Sequence, residues 1–436
     1  MILVNPKFSL ITLGCKVNQY DSKEIKERLE GMGLREAENH SPSDIVFINT
    51  CTITDTADRK SFFMLKQTLS KNPRAMIFVT GCAVDYHEGN FYLDDKRVIF
   101  VKNKDKARVD KIVSQYINLE PNLQSGFGKK RNTHTRAIVK VQDGCENFCS
   151  YCVLPFVRGS IKSRYIEDIV GEIKILADTD IKEVILSGIC LGSYGKDLKE
   201  NLDLSMLLEQ VEYIKGNFRI RLSSIEPKYV TEKLIGILSS SRRVCPHIHL
   251  PFQSGDDGIL EKMNRPYTSS YYIALVDKLR SVIPNIAITT DIIVGFPGES
   301  DKNFYSTLSF LKRVRPSRIH VFPYSDRNNT FASKLKDKVS ADIKLERAKL
   351  IRKLGERYSF GYRRDFLNKT LRVLVESRFD KKTNLYCGYS ENYIRVRVDC
   401  KEDLSNKVID VKIKEITKEL AIGNPINSPS QPLLFQ

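Results

Sequence analysis

The sequence predicts an α/β protein in which an N-terminal open parallel sheet is followed by a longer run of alternating strands and helices and by a small antiparallel β-barrel. Three observations predict this class. Short apolar strands alternate with charged helical segments near the N-terminus, the same alternation resumes after Thr135, and β-branched alternating runs fill the last part of the chain. Alternating strands and helices are typical of parallel βαβ units, and short alternating strands separated by turns are typical of small barrels.

The N-terminal part contains three short runs rich in Ile, Val and Phe, each followed by a polar segment of helical character. The runs are Phe8–Leu13, Asp44–Asn49 and Met76–Thr80, and the helical segments include Asp21–Gly31 and Asp55–Ser70. We expect the runs to be buried parallel strands of one open sheet. Glu120–Arg131 contains Pro, Gly and Ser, so we expect a linker there.

Six further strand candidates follow, with helical stretches between them. The strands are Ala137–Val141, Glu183–Ser187, Phe218–Leu222, His247–Leu250, Ala287–Val294 and Arg318–Phe322, and the helices include Ile166–Ala177 and Asp301–Val314. Six such repeats suit either a barrel or a second doubly wound sheet, and the alternation alone does not choose between them. We expect a Lys/Arg-rich helix over Lys334–Arg364.

The last part of the chain changes character. Leu371–Glu376, Tyr393–Val398 and Val408–Ile416 are β-branched, alternating runs, which predict a small antiparallel barrel. The tail Ile422–Gln436 contains three prolines, so we expect it to be poorly ordered.

The charge of the chain favours a polyanionic partner. Lys plus Arg exceed Asp plus Glu by 70 − 53 = 17, and the isoelectric point is about 9.3. Such a balance suits nucleic acid, although a basic surface kept for solubility is the alternative. No apolar run approaches the ~18 residues that span a bilayer, and Met1–Leu13 does not have the pattern of a signal peptide. We therefore expect a cytoplasmic protein without a membrane partner.

Three cysteines form a C-x3-C-x2-C run on a loop directly after the first strand of the middle part. They are Cys145, Cys149 and Cys152, in the sequence CENFCSYC. Three thiolates within eight residues can hold one face of an iron–sulfur cluster and leave one iron without a protein ligand. A structural zinc site is the main alternative, but the run lacks the fourth ligand of a closed tetrahedral site, for which Asp143 is a poor substitute.

A second group of three cysteines lies far apart in the sequence. Cys15, Cys51 and Cys82 each come just after a predicted strand. Because the carboxyl ends of parallel strands share one edge of a sheet, these three thiols are expected to converge. Any one of them alone would more often be a buried core residue. Together they predict a second cluster, again with one open iron.

The motifs around both groups are similar to those of the radical SAM methylthiotransferases. The sequences GCKVNQYDS, NTCTITDTADRK and TGC surround the first group, and Tyr151 precedes the last cysteine of the second. Further matches are Arg158-Gly159, Ser163-Arg164, Leu222–Pro227, His249–Gly255 and Asp291–Glu299. The form GCKVN resembles the branch that acts on threonylcarbamoyladenosine in tRNA.

This resemblance implies a fold, cofactors and a reaction. The middle part would be a radical SAM partial (β/α) barrel and the last part a TRAM-like RNA-binding barrel, with domains at 1–125, 131–362 and 364–428. The six cysteines would be cluster ligands and catalytic residues: Cys145, Cys149 and Cys152 of the radical SAM 4Fe–4S cluster, and Cys15, Cys51 and Cys82 of an auxiliary 4Fe–4S cluster. S-adenosylmethionine would bind the open iron of the former and yield a 5′-deoxyadenosyl radical.

The reaction implied is addition of a methylthio group to C2 of N6-threonylcarbamoyladenosine next to the anticodon. The partners would be the tRNA anticodon stem-loop and a low-potential electron donor such as flavodoxin or ferredoxin. Alternatives are the same chemistry on isopentenyladenosine in tRNA or on an aspartate of a ribosomal protein, and a non-catalytic RNA-binding iron–sulfur protein that senses redox state.

Several residues near predicted strand ends are candidates for contacts with S-adenosylmethionine. They are Tyr151, Ser187, Gly188, Ser224, Glu226, Asp291 and Gly295, with Gly192, Gly195, Gly298 and Glu299 as further possibilities. For the carboxylates, a buried ion pair with a nearby base is an equal alternative. For His247 and His249 a satisfied core histidine is favoured over a ligand.

Two places depart from the family pattern. Cys190 stands in the SGICLGSYG loop where another residue is expected, and Asn328-Asn329-Thr330 replaces the usual Gly before Thr. Cys245, Cys387 and Cys400 have no partner spacing, so we expect them to be structural.

Overall fold

The computed structural model describes residues 2–3, 6–38, 42–88, 94–119, 135–199, 202–380, 383, 385–400 and 402–426. The chain forms two units. The first comprises residues 1–130, 143–160 and 325–333, and the second comprises 131–142, 161–324 and 334–436. The whole predicted linker Glu120–Arg131 and residues 427–436 of the predicted tail lie outside the described residues.

The first unit is built around a five-stranded parallel sheet. Its strands and helices are β1 (Ile2–Leu3), β2 (Lys7–Thr12), α1 (Lys16–Gly31), β3 (Arg35–Glu36), β4 (Ile45–Thr50), α2 (Asp55–Lys71), β5 (Met76–Gly81), α3 (Cys82–Tyr86), β6 (Val98–Val101), α4 (Val109–Ser114), β7 (Asn118–Leu119) and α5 (Leu154–Arg158), with a 3₁₀ turn at Asn103–Arg108. The order in the sheet is β3-β2-β4-β5-β6, and all pairs are parallel.

Helices cover both faces of this sheet because its strands are apolar on both sides. One face packs Phe8 and Phe47 against Ile25 and Leu29 of α1. The other face packs residues of β4 and β5 against Leu65 of α2 and against α3. This is the open parallel α/β sheet that the strand–helix alternation predicts.

The second unit begins with seven strands, six of which lie parallel to one another in the order of the chain. Its elements are β8 (Arg136–Asp143), β9 (Lys162–Ser163), α6 (Ile166–Ala177), β10 (Glu183–Gly188), α7 (Leu204–Glu212), β11 (Arg219–Leu222), α8 (Glu232–Ser240), β12 (His247–His249), α9 (Asp257–Lys262), α10 (Ser269–Val282), β13 (Ala287–Val294), α11 (Asp301–Val314), β14 (Arg318–Pro323) and α12 (Ala341–Arg364), with 3₁₀ turns at Leu191–Ser193, Pro227–Tyr229 and Ala332–Lys334.

The pairing of these strands selects the barrel over the second doubly wound sheet. β8, β10 and β11 pair in parallel, bridges at Ile220–Val244 and Ser224–His249 continue to β12, and β13 and β14 follow. Apart from the two-residue strand β9, which lies at the edge next to β8, the strand order follows the chain without the reversal that a doubly wound sheet has. The largest hydrophobic core of the chain lies between these strands and helices α6–α12.

The C-terminal part forms a closed five-stranded barrel. Its strands are β15 (Thr370–Asp380), β16 (Leu385–Ser390), β17 (Arg395–Val398), β18 (Val408–Ile416) and β19 (Ala421–Pro425). All pairs are antiparallel except β17 with β19, which is parallel. The prediction of a small antiparallel barrel is confirmed, and the one parallel pair arises where closure joins β17 to β19.

Two expectations are corrected. Residues 422–425 were expected in a poorly ordered tail, but they belong to β19, whose backbone pairs on both sides close the barrel. The helix expected from Lys334 begins at Ala341, because the Ser340 side chain accepts a hydrogen bond from the Ile343 amide and caps it there.

Candidate functional site

The first three cysteines meet at the carboxyl edge of the N-terminal sheet. Cys15 caps α1, Cys51 follows β4 and Cys82 is the first residue of α3 after β5. Cys51 and Cys82 are buried and Cys15 is half-buried. Burial raises the pKa of Cys15, and it raises that of Cys51 to about 11 with further increases from the two neighbouring thiols. The three thiols therefore lie close enough to interact electrostatically, as the strand ends predict.

Gly14 makes this close approach possible. Its backbone adopts φ +96°, a conformation that disfavours any residue with a Cβ. A Cβ at this position would also lie 2.8 Å from Cβ and 3.0 Å from Sγ of Cys51. The glycine before Cys15 is thus required both by the turn and by the neighbouring cysteine.

The second three cysteines lie on one loop of the same unit. The Cys145 amide donates to the Gly159 carbonyl at 3.0 Å, and the Cys152 amide donates to the Cys149 carbonyl at 2.9 Å. The Ala332 amide also donates to the Ser150 carbonyl at 2.7 Å, so a distant segment of the first unit holds this loop. Cys145 is buried, whereas Cys149, Cys152 and Tyr151 are half-buried.

Arg158 connects the two groups of cysteines. It ends α5, which starts two residues after Cys152, and its guanidinium Nε donates to Sγ of Cys82 at 3.3 Å. Nη1 donates to Oδ2 of Asp21 at 2.9 Å and to Oδ2 of Asp143 at 3.2 Å. The side chain is 2% exposed. A buried cation beside the first group suits an anionic cluster, because the interior screens the attraction little.

Further contacts fix the orientation of Arg158. Asn18 accepts a hydrogen bond from Nη2 and donates through its Nδ2 to the carbonyls of Leu13 and Thr50, both at 2.8 Å. Lys106 donates to Asp21 at 2.9 Å, and its pKa is lowered by burial. These contacts join the ends of β2 and β4 to the guanidinium, so its direction is set by the sheet itself.

A second buried network lies next to Cys51. The carboxylate of Asp58 accepts a hydrogen bond from Thr52 at 2.9 Å, contacts His87 at 2.9 Å and accepts another from Arg327 at 3.0 Å. Burial raises the pKa of Asp58, but the hydrogen bonds outweigh it and the pKa is lowered. Arg327 also lies over the ring of Tyr86, with 4.2 Å to the centroid. The network ties residues 325–333 to the strand end that carries Cys51.

The Asn328-Asn329-Thr330 departure has a local explanation. Asn329 adopts φ +69°, which asparagine tolerates better than most residues, and the Thr330 hydroxyl donates to the Arg327 carbonyl at 2.7 Å. The loop thus forms without glycine.

Cys190 is buried, and its amide donates to Oε1 of Gln142 at 2.9 Å.

Sequence reasoning missed the roles of Arg158, Asp21, Lys106 and Arg327. The motif containing Arg158 was visible, but nothing in its spacing indicates that it contacts Cys82, 76 positions away. The available signal was proximity to both cysteine motifs: Asp21 follows Cys15 on α1, and Arg158 follows Cys152 on α5.

The predicted cofactor contacts of the second unit lie at or near strand ends. Ser187 and Gly188 end β10, and Ser224 follows β11. Glu226 pairs with Arg265, which is the ion-pair alternative considered for the carboxylates. Gly295 donates its amide to Oε1 of Glu299 at 2.8 Å. Their contacts with S-adenosylmethionine stay a prediction.

Asp291 also has protein partners. It lies between His249, with Nε2 to Oδ2 at 3.2 Å, and His320, with Nδ1 to Oδ1 at 3.1 Å. Burial raises the pKa of Asp291, but the hydrogen bonds from both histidines outweigh it and hold the pKa well below its usual range. His247 contacts Thr289 at 3.2 Å, in keeping with the expected satisfied core histidine.

The spacing of the cysteines fits clusters better than single ions. Among the described residues, the one group of three His, Cys, Asp or Glu ligand atoms within 4.8 Å of one another is His249, Asp291 and His320. In neither group of cysteines do the three sulfur atoms all lie within 4.8 Å of one another. A tetrahedral zinc site with Zn–S bonds of about 2.3 Å needs its sulfur atoms closer together. A cubane cluster binds each thiolate on a different iron, so the donor sets fit it.

Two family models match the chain. Residues 139–311 match the Radical SAM superfamily, and residues 7–101 match a family described as uncharacterized protein family UPF0004. The first matched segment contains the group Cys145, Cys149 and Cys152, and the second contains the group Cys15, Cys51 and Cys82.

Relatives match nearly the whole chain. It is 34% identical over 430 residues to the threonylcarbamoyladenosine tRNA methylthiotransferase MtaB of Bacillus subtilis, covering 95% of this chain and 94% of that protein. It is 35% identical over 441 residues to a tRNA-2-methylthio-N(6)-dimethylallyladenosine synthase of Caldicellulosiruptor saccharolyticus, covering 97% and 93%.

A solved structure shares the fold. The radical S-adenosylmethionine methyltransferase TsrM from Kitasatospora setae superposes with a TM-score of 0.54 at 14% identity, covering 73% of this chain and 75% of that one. None of the helices among the described residues has the length and apolarity that crossing a membrane requires.

The cofactors of this family are S-adenosylmethionine and 4Fe–4S clusters, two in the methylthiotransferases. The two donor sets of three thiols described above fit them. From its similarity over nearly its full length to two kinds of methylthiotransferase, the chain belongs to the radical SAM methylthiotransferase family.

Proposed function

We propose that this chain is a tRNA-modifying enzyme that replaces the hydrogen at C2 of N6-threonylcarbamoyladenosine, beside the anticodon, with a methylthio group. The observation that carries the proposal is the presence of two groups of three thiols in one unit, in which Arg158, from the helix that follows the second group, donates to Cys82 of the first. Methylthio transfer needs two separate tasks, supply of sulfur and activation of a carbon, and two clusters can divide them. A radical SAM enzyme with one cluster would need only the second group.

When bound, the clusters and two molecules of S-adenosylmethionine would supply the electron, the sulfur atom held on the auxiliary cluster, the methyl group and the radical that removes the hydrogen atom. The chain supplies the rest. Cys145, Cys149 and Cys152 would hold one cluster, and Cys15, Cys51 and Cys82 the other. Arg158 donates an N–H to Cys82 and so stabilises charge on that sulfur. A low-potential donor such as flavodoxin or ferredoxin is the proposed source of electrons.

The proposed RNA partner is supported by charge. The net charge is +17, and the C-terminal barrel exposes several cations, including Lys369, Arg395 and Lys414. Lys and Arg position RNA through its phosphates, whereas a base held out of the stack can be read at its edges. A ring carbon inside a stacked loop is shielded, so the adenosine must leave the stack to react.

We propose the threonylcarbamoyl substrate because the first cysteine motif has the form GCKVN, which resembles the branch that acts on threonylcarbamoyladenosine. A second candidate is dimethylallyladenosine in tRNA, another name for isopentenyladenosine, because relatives named for either nucleoside are equally similar to this chain, at 34–35% identity. The basic chain counts against an aspartate of a ribosomal protein.

The test is anaerobic turnover with two anticodon stem-loops, one carrying threonylcarbamoyladenosine and one carrying dimethylallyladenosine. The reconstituted protein receives S-adenosylmethionine and dithionite, and the nucleosides and 5′-deoxyadenosine are quantified by mass spectrometry. We expect methylthio product from the first RNA in preference to the second. Preference for the second would establish the other substrate.

Two variants complete this test. Cys149→Ala should abolish both the methylthio product and 5′-deoxyadenosine, while Cys400→Ala, which changes a half-buried cysteine of the C-terminal barrel, should retain both. RNA binding with intact clusters but no 5′-deoxyadenosine from the unaltered protein would instead indicate a redox sensor and overturn the proposal.

A further inference from the structure

Three side chains on adjacent strands of the second unit form a compact group, and one of them, Asp291, is also a predicted contact of S-adenosylmethionine. His249 lies on β12, Asp291 on β13 and His320 on β14. Asp291 pairs with His320 in the parallel register, and His249 pairs with Thr289. Residues two apart on a strand point to the same face, so Thr289 and Asp291 share a face with both histidines. The β-sheet itself thus brings the three side chains together.

The distances in this group suit a single metal ion. Asp291 Oδ2 lies 3.2 Å from His249 Nε2, and its Oδ1 lies 3.1 Å from His320 Nδ1. One ligand atom of each residue lies within 4.8 Å of the other two. Zn–N and Zn–O bonds of about 2.0–2.2 Å place tetrahedral ligand atoms about 3.3–3.6 Å apart. The two pairs with Asp291 are near that separation.

A neighbouring hydroxyl orients one of the imidazoles. Thr289 Oγ1 lies 2.9 Å from His249 Nδ1, so the other ring nitrogen, Nε2, is the one that faces Asp291. Histidines that bind metals usually have their second nitrogen held in this way. The group also has an open side, because the His320 side chain is 41% exposed while those of Asp291 and His249 are 22% and 13% exposed.

We propose that His249, Asp291 and His320 form a binding site for one divalent transition-metal ion. Two imidazoles and one carboxylate are donors that suit Zn²⁺, Fe²⁺, Co²⁺ or Mn²⁺. Three protein ligands leave at least one position open on the exposed side, for water or for an oxygen ligand. The site lies in the second unit and involves none of the six cysteines, so its existence does not depend on the proposed reaction.

The experiment uses Mn²⁺, because this hard ion competes poorly for thiols. The reconstituted protein, free of RNA, is titrated with Mn²⁺, and free Mn²⁺ is followed by electron paramagnetic resonance. We expect one bound Mn²⁺ per chain, released by added Zn²⁺, which binds N/O sites more tightly. Asp291→Asn and His320→Ala should each weaken binding at least tenfold. Asp277→Asn, which alters an exposed carboxylate paired with Arg313, should leave binding unchanged.

Iron content and circular dichroism establish that each variant is folded and carries its clusters. No saturable Mn²⁺ binding, or equal binding by Asp291→Asn and the unaltered protein, would overturn the proposal. The group would then be a hydrogen-bonded chain in which the Thr289 hydroxyl donates to His249 and both histidines donate to Asp291. If the unaltered protein binds Mn²⁺ but transfers no methylthio group to RNA, the result counts against the proposed function and leaves the proposed metal site standing.

Discussion

Arg158 Nε lies 3.3 Å from Sγ of Cys82, so one guanidinium joins the helix that follows the second cysteine group to a cysteine of the first. The contact is buried and is held from the other side by Asp21. It places a positive charge and an N–H donor next to the cysteines proposed to hold the auxiliary cluster.

We first predict that this contact sets the reduction potential of the auxiliary cluster. Hydrogen bonds to cluster sulfur and nearby positive charge stabilise the reduced form, so their loss makes the potential more negative. In a background lacking Cys145, Cys149 and Cys152, Arg158→Met should lower the potential by on the order of 60 mV, which corresponds to about 1.4 kcal/mol for one electron. The measurement is a redox titration followed by electron paramagnetic resonance.

Arg158→Lys retains the charge, so it should lower the potential less than Arg158→Met. The control is Arg59→Met, which removes an exposed arginine of the same unit. Equal potentials in all these proteins would show that the contact has no electrostatic role at the cluster.

The second prediction concerns iron content. If each group of cysteines holds a four-iron cluster, the reconstituted protein should contain about eight irons per chain. Cys51→Ala should retain about half of the iron, and so should Cys149→Ala, whereas Cys400→Ala should retain all of it. Iron analysis with Mössbauer spectroscopy distinguishes these cases. About four irons in the unaltered protein, unaffected by Cys51→Ala, would rule out the auxiliary cluster.

The sequence predicted both cysteine groups because their positions follow from topology. Cys15, Cys51 and Cys82 follow strands of one parallel sheet, and such strands end at one edge. The periodic helices were also predictable: Ile166–Ala177 and Asp301–Val314 have the expected bounds. Strand β19 was not predictable from the sequence. Its run Ala421–Pro425 contains a Gly and a Pro, and it becomes a strand by pairing with β17 and β18.

The contacts of charged side chains were beyond sequence reasoning. Arg327 reaches Asp58, and Glu183 reaches Arg221, over separations that no local pattern encodes. Asp291 was expected to contact the cofactor or a base, and only the register of β13 against β14 shows that His320 is one such base. The carboxylate of Asp291 indicated an ion pair or a cofactor contact, but the identity of its partner depended on the tertiary fold.

The third prediction concerns a buried ion cluster that joins two parts of the second unit. Glu183 on β10 is fully buried and pairs with Arg136, Arg219 and Arg221. Arg219 also donates to the Tyr389 carbonyl at 2.9 Å in the C-terminal barrel. Glu183→Gln leaves the buried guanidinium groups of Arg219 and Arg221 without their shared carboxylate, so we expect it to lower the free energy of unfolding by about 3–5 kcal/mol.

The pH dependence of this loss follows from the pKa of Glu183. Burial raises that pKa, but the three arginines outweigh it and hold it well below its usual range. A carboxyl group with a lowered folded-state pKa contributes stability above its unfolded pKa, about 4.3, and loses it as the pH falls toward the folded value. The difference between the unaltered protein and Glu183→Gln in urea unfolding should thus be constant from pH 5.5 to 8. A difference that shrinks within this range would contradict the lowered pKa, and Glu232→Gln, at an exposed site, is the control.

The last prediction concerns RNA binding by the C-terminal barrel. Each phosphate contact made by a cation releases counterions, so the logarithm of the association constant falls with the logarithm of salt concentration by about 0.7–0.9 per contact. Lys369 and Lys414 are exposed cations of this barrel. If both contact phosphates, Lys369→Ala and Lys414→Ala should each weaken binding of an anticodon stem-loop and reduce that slope by about 0.7–0.9. Lys278→Ala, which removes an exposed lysine paired with Glu232, should change neither quantity. Fluorescence anisotropy over a range of KCl concentrations measures both the affinity and the slope. A slope unchanged in both barrel variants would place the RNA on another surface. The reason is that the charge of the chain acts on RNA only where phosphates come within the screening length.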